Sequence, residues 1–249
     1  MRARVVVAER LDELAADDPA AQRSRRDLQR IHRVMGTRGI LLDAFAKHAM
    51  VSPGEAPLRV LELGAGDGSL LLGVAEALQA HLHTHTHAHK PGRRVALSLL
   101  DRQALVSPAT IERYARTGWS ATACSVEVEE WVACASESSR WDWVVANLFL
   151  HHFEADALVA MLAAIASRCD RFFACEPRRG WVALAGSHLV GALGANAVTR
   201  NDAVVSVRAG FAGHELSALW PATAGGWQLR EFSAAPFSHC FEASRSEAL

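Results

Sequence analysis

Residues 59–72, R-V-L-E-L-G-A-G-D-G-S-L-L-L, constrain the fold more than any other stretch of this chain. Val60, Leu61 and Leu63 read as the end of a buried strand, Gly64, Gly66 and Gly68 alternate through a tight turn, and Leu70 to Leu72 begin a helix. Glycine is required where the backbone takes a positive φ or lies against a ligand with no room for a Cβ. A strand that ends in such a turn and feeds a helix offers backbone N–H groups to a polar ligand. The unit therefore predicts an α/β sheet with a nucleoside-cofactor site at the C-terminal edge of its strands.

The rest of the chain agrees with that frame. Leu71, Val74 and Leu78 give the helix after the turn a buried stripe. Val95, Leu97, Leu99 and Leu100 form a second strand ending at Asp101, a helix spans Pro108 to Arg116, and a third strand covers Trp119 to Cys124. Trp141 to Asn147 is a near-continuous apolar run of the kind buried on both faces. Leu158, Met161, Leu162 and Ile165 follow at helical spacing, then Arg171 to Cys175 as a fifth strand. After Pro177 the pattern loosens into an apolar helix over Trp181–Gly194, an irregular connection over Ala195–Arg208 and a short helix over Ala212–Leu219. Two closing strands, Gly226–Ala234 and Phe237–Ala243, end the chain as a hairpin. The fold class expected is a Rossmann-like, mostly parallel seven-stranded sheet with helices on both faces and an N-terminal helical cap. The cap is placed at residues 1–57, before the linker around Ser52-Pro53-Gly54 and Pro57. The cofactor-binding domain is placed at 58–249, with a substrate-covering insertion at about 178–210.

Composition narrows the partners. With 26 basic and 27 acidic residues the net charge is −1, which gives no global electrostatic case for nucleic acid or an anionic membrane. No apolar run reaches the ~18 residues of a membrane span, and the N-terminal apolar run, Val5 to Ala8, is too short for a secretory h-region. Five cysteines at wide spacing, with no C-x-x-C pair, read as small buried hydrophobes in a reducing compartment. A cytoplasmic monomer or homodimer is expected. The arginines of residues 23–38 read as a solvated helix face, and the alternating histidines His81, His83, His85, His87 and His89 as an exposed helix end or loop with no metal role.

The glycine turn alone fits more than one cofactor, because dinucleotide sites carry a similar one. Two details favour S-adenosylmethionine. Ser69 stands where a dinucleotide fingerprint places its third glycine, and Glu62, two residues before the first glycine, would oppose a pyrophosphate but suits an ammonium and a sulfonium. Asp101 ends the second strand, where a carboxylate can accept the ribose hydroxyls of either cofactor.

With E-L-G-A-G-D-G at 62–68, L-L-D at 99–101 and W-D-W-V-V-A-N-L-F-L-H-H-F at 141–153, the chain resembles the class I S-adenosylmethionine-dependent methyltransferases. D-L-Q-R-I-H-R-V-M-G at 27–36 and R-N-D-A-V-V-S-V-R-A-G-F at 200–211 add a narrower likeness to bacterial small-molecule methyltransferases related to those of ubiquinone and menaquinone biosynthesis. The resemblance implies that Gly64, Ala65, Gly66 and Gly68 line the methionine moiety and that Glu62 contacts its amino group. It implies Asp101 at the ribose, Arg102 beside the adenine, and Ser125 or Glu127 at the adenine amine. Asn147, at the end of the fourth strand, joins the cofactor set.

The acceptor side is read from the same strand end. His151 and His152 are the candidate bases, with His152 preferred, because a histidine near neutral pKa can remove a phenolic proton as the methyl arrives. The same pair could instead begin the next helix as a cap and a packed residue. No carboxylate cluster accompanies them, so no metal is expected. Arg178, Trp181 and His188 are candidate substrate contacts, and Trp181, Leu184, Leu189 and Leu193 with the N-terminal helices could wall an apolar pocket. The function expected is methyl transfer from S-adenosylmethionine to a small, largely apolar, phenolic or polyketide-like acceptor, on oxygen ahead of carbon. C-methylation of a quinone-type ring, a non-catalytic cofactor-binding protein and an NAD-dependent oxidoreductase are the alternatives.

Overall fold

In the computed structural model, residues 3–49, 56–85, 94–134, 140–221, 226–234 and 237–245 are described. In chain order the first elements are α1 (Arg10–Glu13), α2 (Pro19–Met35), α3 (Thr37–Ala49), β1 (Leu58–Leu63), α4 (Ser69–His85) and β2 (Val95–Asp101). They are followed by α5 (Pro108–Arg116), β3 (Trp119–Ser125), α6 (Val128–Ala133) and β4 (Trp141–Asn147). Next come α7 (Ala155–Arg168), β5 (Cys169–Pro177), α8 (Trp181–His188), α9 (Ala197–Ala209), α10 (Glu215–Leu219), β6 (Trp227–Ala234) and β7 (Ser238–Arg245). Short 3-10 turns cover Leu150–His152 and Val190–Leu193. The sheet has seven strands in the order β3-β2-β1-β4-β5-β7-β6, parallel at β1–β2 and β2–β3 and antiparallel where β7 pairs with β5 and β6. This is the mostly parallel sheet with a closing hairpin that the alternation of apolar runs predicts. No helix among the described residues is long and apolar enough to cross a membrane.

The described chain divides into two compact units, Arg38–Val145 and a second formed by Met1–Thr37 with Ala146–Leu249. In the first, β1 is buried at every position but Arg59, as expected of a strand covered on both faces. Val60, Leu63, Leu97 and Leu99 are almost fully buried, each a contribution of about 1.5–3 kcal/mol relative to exposure. α3 adds Phe45, whose ring lies 3.9 Å from that of Trp143 and 5.7 Å from that of Trp119. α5 begins where its residues dictate: Ser107 caps the Thr110 N–H at 3.1 Å and Pro108 occupies the first turn.

In the second unit, α2 starts at Asp18, whose carboxylate accepts the Ala20 and Ala21 N–H groups ahead of Pro19. It stops at Gly36, in the left-handed conformation at φ 68°. Phe172, Phe241 and Trp220 cluster at ring separations of 5.3–6.0 Å behind β5 and β7. The stretch Ala195–Arg208, expected to be irregular, is instead mostly the helix α9. Asn196 caps it by accepting the Thr199 N–H at 2.8 Å, a signal hidden among the polar residues of that segment. α9 is fixed to the end of β5 at Gly210, where an added Cβ would sit 2.2 Å from the Pro177 carbonyl oxygen, so only glycine permits the crossing. The Phe211 N–H then reaches the Pro177 carbonyl at 3.0 Å and the Arg179 N–H reaches Phe211 at 2.8 Å. α6 is a further helix absent from the expectation, too short to show a period.

Candidate functional site

Gly64, Gly66 and Gly68 all have positive φ, at 68°, 57° and 72°. Gly68 is also crowded, since an added Cβ would meet Leu99 at 3.2 Å and Thr110 at 3.4 Å. The turn is braced from several directions. The Ala65 N–H donates to the Leu100 carbonyl at 3.0 Å, and the Asp101 carboxylate accepts the Gly66 N–H at 2.8 Å and the Gln103 N–H at 2.9 Å. Asp67 accepts the Ser69 N–H at 3.0 Å at the start of α4. The hydroxyl of fully buried Tyr114 donates to the Gly68 carbonyl at 2.7 Å. Tyr114 is the chain's single tyrosine and was not anticipated, because nothing local in α5 announces a partner so distant in sequence.

Glu62 closes β1 beneath this turn, 2% exposed, and its Oε2 is buried with no hydrogen-bond partner among the described residues. Burial, with the negative charges of Asp67 and Asp101 beside it, pushes the carboxyl well above the usual carboxylate range. An orphaned acid flanked by two more carboxylates favours a cationic group and disfavours a pyrophosphate. Ser125 is paired opposite Asp101 in the β2–β3 register and is exposed, as are Arg102 and Glu127.

The second unit carries the candidate chemistry at the end of β4. Asn147 is 8% exposed with its Oδ1 unpartnered among the described residues. Leu148 adopts φ 49°, a left-handed conformation that costs a non-glycine residue about 1–3 kcal/mol. Its N–H donates to the Cys175 carbonyl at 2.9 Å. The chain then turns over Glu176, fully buried at the end of β5. The Glu176 carboxylate accepts the N–H groups of Phe149 at 3.1 Å and Leu150 at 2.9 Å.

That turn seats His151 between two carboxylates. Its Nδ1 lies 2.8 Å from Glu176 Oε2 and its Nε2 lies 3.2 Å from Glu9 Oε1. Burial opposes a charge on the ring, but the hydrogen bonds and charges of Glu176 and Glu9 override it and lift the pKa to about 9. At neutral pH His151 therefore donates both ring protons and has no lone pair free, which argues against it as the base. His152 is in a different position: partly exposed, with Nδ1 3.2 Å from Asp12 Oδ2.

A cavity of about 370 Å³ lies within the same unit. Leu28, Ile31 and Met35 line it at helical spacing from α2, and Ala203 and Val207 line it from α9. The segment after α8 adds Leu189 and Leu193. Two carboxylates reach this aliphatic wall, Glu9 and Asp202. Asp202 is spent on the backbone of the N-terminal segment, accepting the Arg10 N–H at 3.0 Å and the Leu11 N–H at 2.9 Å. Arg178, Trp181 and His188 are exposed, Trp181 by 71%, and none of them lines the cavity. Arg179 is buried, bonded to the Gly210 carbonyl at 3.1 Å and ion-paired with Glu215, so it serves the fold. The side chains of the histidine run, and all of His87 and His89, lie outside the described residues.

No protein-family model and no curated protein matches the sequence. Solved structures do match in fold. The plantazolicin methyltransferase BamL, solved with a triazolic desmethylplantazolicin analogue and S-adenosylhomocysteine, aligns over 95% of this chain and 93% of its own at 13% identity and TM-score 0.59. The fold is that of the methyltransferases. The CurJ carbon methyltransferase (14% identity, TM-score 0.51, 93% of this chain) shares this methyltransferase fold. So does a putative O-methyltransferase of Nostoc punctiforme (15% identity, TM-score 0.50, 85% of this chain). The chain spans 56% of the length of each of these last two.

Proposed function

We propose that the protein transfers a methyl group from S-adenosylmethionine to a small, largely apolar acceptor, on oxygen. The observation that carries this reading is the buried, unpartnered Glu62 carboxyl beneath a turn of three positive-φ glycines, an acidic cradle suited to a cationic nucleoside cofactor. When bound, S-adenosylmethionine supplies an electrophilic methyl group on a sulfonium. Glu62 would hold its amino group, and its negative neighbours Asp67 and Asp101 would favour the positive ligand further. Asp101 would receive the ribose hydroxyls with the lone pairs left over from bracing the turn, and Ser125 would lie at the adenine.

The aliphatic cavity holds the acceptor and excludes water from it. His152, with Nδ1 beside Asp12, would take the acceptor's hydroxyl proton at Nε2, the oxygen gaining the methyl as the methyl–sulfur bond breaks and S-adenosylhomocysteine leaves. Incubation with isotopically labelled S-adenosylmethionine and a panel of alkylated phenols, followed by mass analysis, tests the proposal. Label on a phenolic oxygen is the expected result, label on ring carbon moves the reaction to C-methylation, and no cofactor binding by calorimetry overturns it.

A further inference from the structure

Glu9 has a role that the cofactor chemistry does not explain. It comes from the segment ahead of α1, which is tied down along its length. The Val5 N–H donates to Arg208 at 3.1 Å, and the Arg4 guanidinium donates to Ala209 at 2.8 Å and Phe153 at 3.1 Å. Beyond Glu9, Asp202 fastens Arg10 and Leu11. Between these two anchorages Glu9 is held with its carboxylate at the wall of the aliphatic cavity, 9% exposed.

Both of its hydrogen bonds fall on one oxygen. Oε1 accepts from His151 Nε2 at 3.2 Å and from the Ser206 hydroxyl, and Oε2 makes no hydrogen bond among the described residues. His151 is in turn held from behind by Glu176, which the backbone of Phe149 and Leu150 also engages. The three side chains form one hydrogen-bonded chain, Glu176 to His151 to Glu9, whose last carboxylate stands at the wall of a mostly apolar cavity with Oε2 making no hydrogen bond among the described residues.

We propose that Glu9 is the polar anchor of the cavity, accepting through Oε2 a hydrogen bond from a hydroxyl or N–H on an otherwise apolar ligand, with His151 and Glu176 as positioning residues. A carboxylate can only accept, so the site takes neutral or cationic ligands that carry a donor and rejects anionic ones. A buried acceptor left unpaired, or faced with a like charge, costs far more than a mismatched apolar surface. For the methyl transfer proposed above, on which this assignment rests for its biological meaning, Glu9 selects a hydroxylated acceptor and excludes carboxylic acids of the same shape.

The test compares 2-naphthol with 2-naphthoate by isothermal titration calorimetry. It is run without S-adenosylmethionine, so that failure of the cofactor reading and failure of this one are separate results. The wild-type protein is expected to bind 2-naphthol at least about tenfold more tightly than 2-naphthoate. Glu9→Gln, whose amide can donate as well as accept, should weaken 2-naphthol by about tenfold and strengthen 2-naphthoate. A merely structural Glu9 would weaken both ligands alike, and that result overturns the assignment, as does an unchanged ratio. If Glu9→Gln does not fold, the wild-type preference decides alone: 2-naphthoate binding as tightly as 2-naphthol overturns it.

Discussion

Glu176 Oε2 accepts from His151 Nδ1 at 2.8 Å across 25 residues of sequence, while Oε1 of the same carboxylate accepts the Leu150 N–H at 2.9 Å. One buried acid therefore shapes the turn after β4 and sets the charge of the ring that the turn presents. With its pKa lifted to about 9, His151 carries a proton on both ring nitrogens at neutral pH, which leaves His152 as the proposed proton acceptor.

His152→Ala is expected to lower turnover by ~10²-fold or more while S-adenosylmethionine affinity is unchanged. Asp12→Asn, which removes the carboxylate from Nδ1, should give a smaller loss in turnover with the same unchanged affinity. Single-turnover rates with cofactor saturating measure both. Loss of thermal stability with normal turnover would assign His152 to packing instead.

The raised pKa of His151 makes stability depend on pH in a stated window. Its folded value, about 9, lies above its ordinary value of 6.5, so the contribution is fully present below 6.5 and is lost as the pH rises through 9. Denaturant unfolding at pH 6.5, 8 and 9 should show a progressive fall that is steeper in the wild type than in His151→Asn, which keeps only the part due to Glu62. At pH 6.5 the same substitution should cost about 3–5 kcal/mol, because it leaves buried Glu176 without its cation.

Glu62 works in the opposite sense to an ordinary salt-bridged acid. Its folded pKa is raised above the usual 4.5, so ionisation in the unfolded chain draws stability away as the pH climbs from 4.5 through the folded value. Glu62→Gln should therefore be more stable than the wild type at pH 8 and no more stable at pH 4. The same variant should lose cofactor affinity by about tenfold or more. In the wild type, binding of a cation beside Glu62 should release a proton, seen as a buffer-dependent heat in calorimetry.

Tyr114→Phe removes one hydroxyl and leaves the ring packing intact. The Gly68 carbonyl loses its 2.7 Å partner, at a cost of about 1–2 kcal/mol in thermal unfolding. Weaker S-adenosylmethionine binding in the folded variant, measured by calorimetry, is the expected companion result, because the same carbonyl belongs to the cofactor turn.

The strands, the glycine turn and Asp101 were legible because each is a local pattern: an apolar run, a spacing, a residue type at a strand end. α9 was not, since its face toward the cavity (Thr199, Ala203, Ser206, Val207) mixes polar and apolar residues and reads as irregular. Glu9 and Tyr114, and the hold of Glu176 on His151, escaped for a different reason. Each acts on residues far away in sequence, Glu9 on His151 across 142 positions, and no window of neighbouring residues contains both partners. Leu148 escaped because a left-handed leucine is imposed by the turn around Glu176 and has no signature of its own.

The groups that brace the glycine turn all fall between Glu62 and Tyr114, whereas every residue lining the aliphatic cavity lies at 9–35 or 148–237. On the function proposed above, donor and acceptor preferences are thus inherited on separate lengths of chain. Drift or recombination in the outer segments can change what enters the cavity without altering a residue of the donor cradle. Laboratory evolution aimed at new acceptors can accordingly leave the interval from 62 to 114 untouched and confine its libraries to α2, α9 and the segment that carries Glu9.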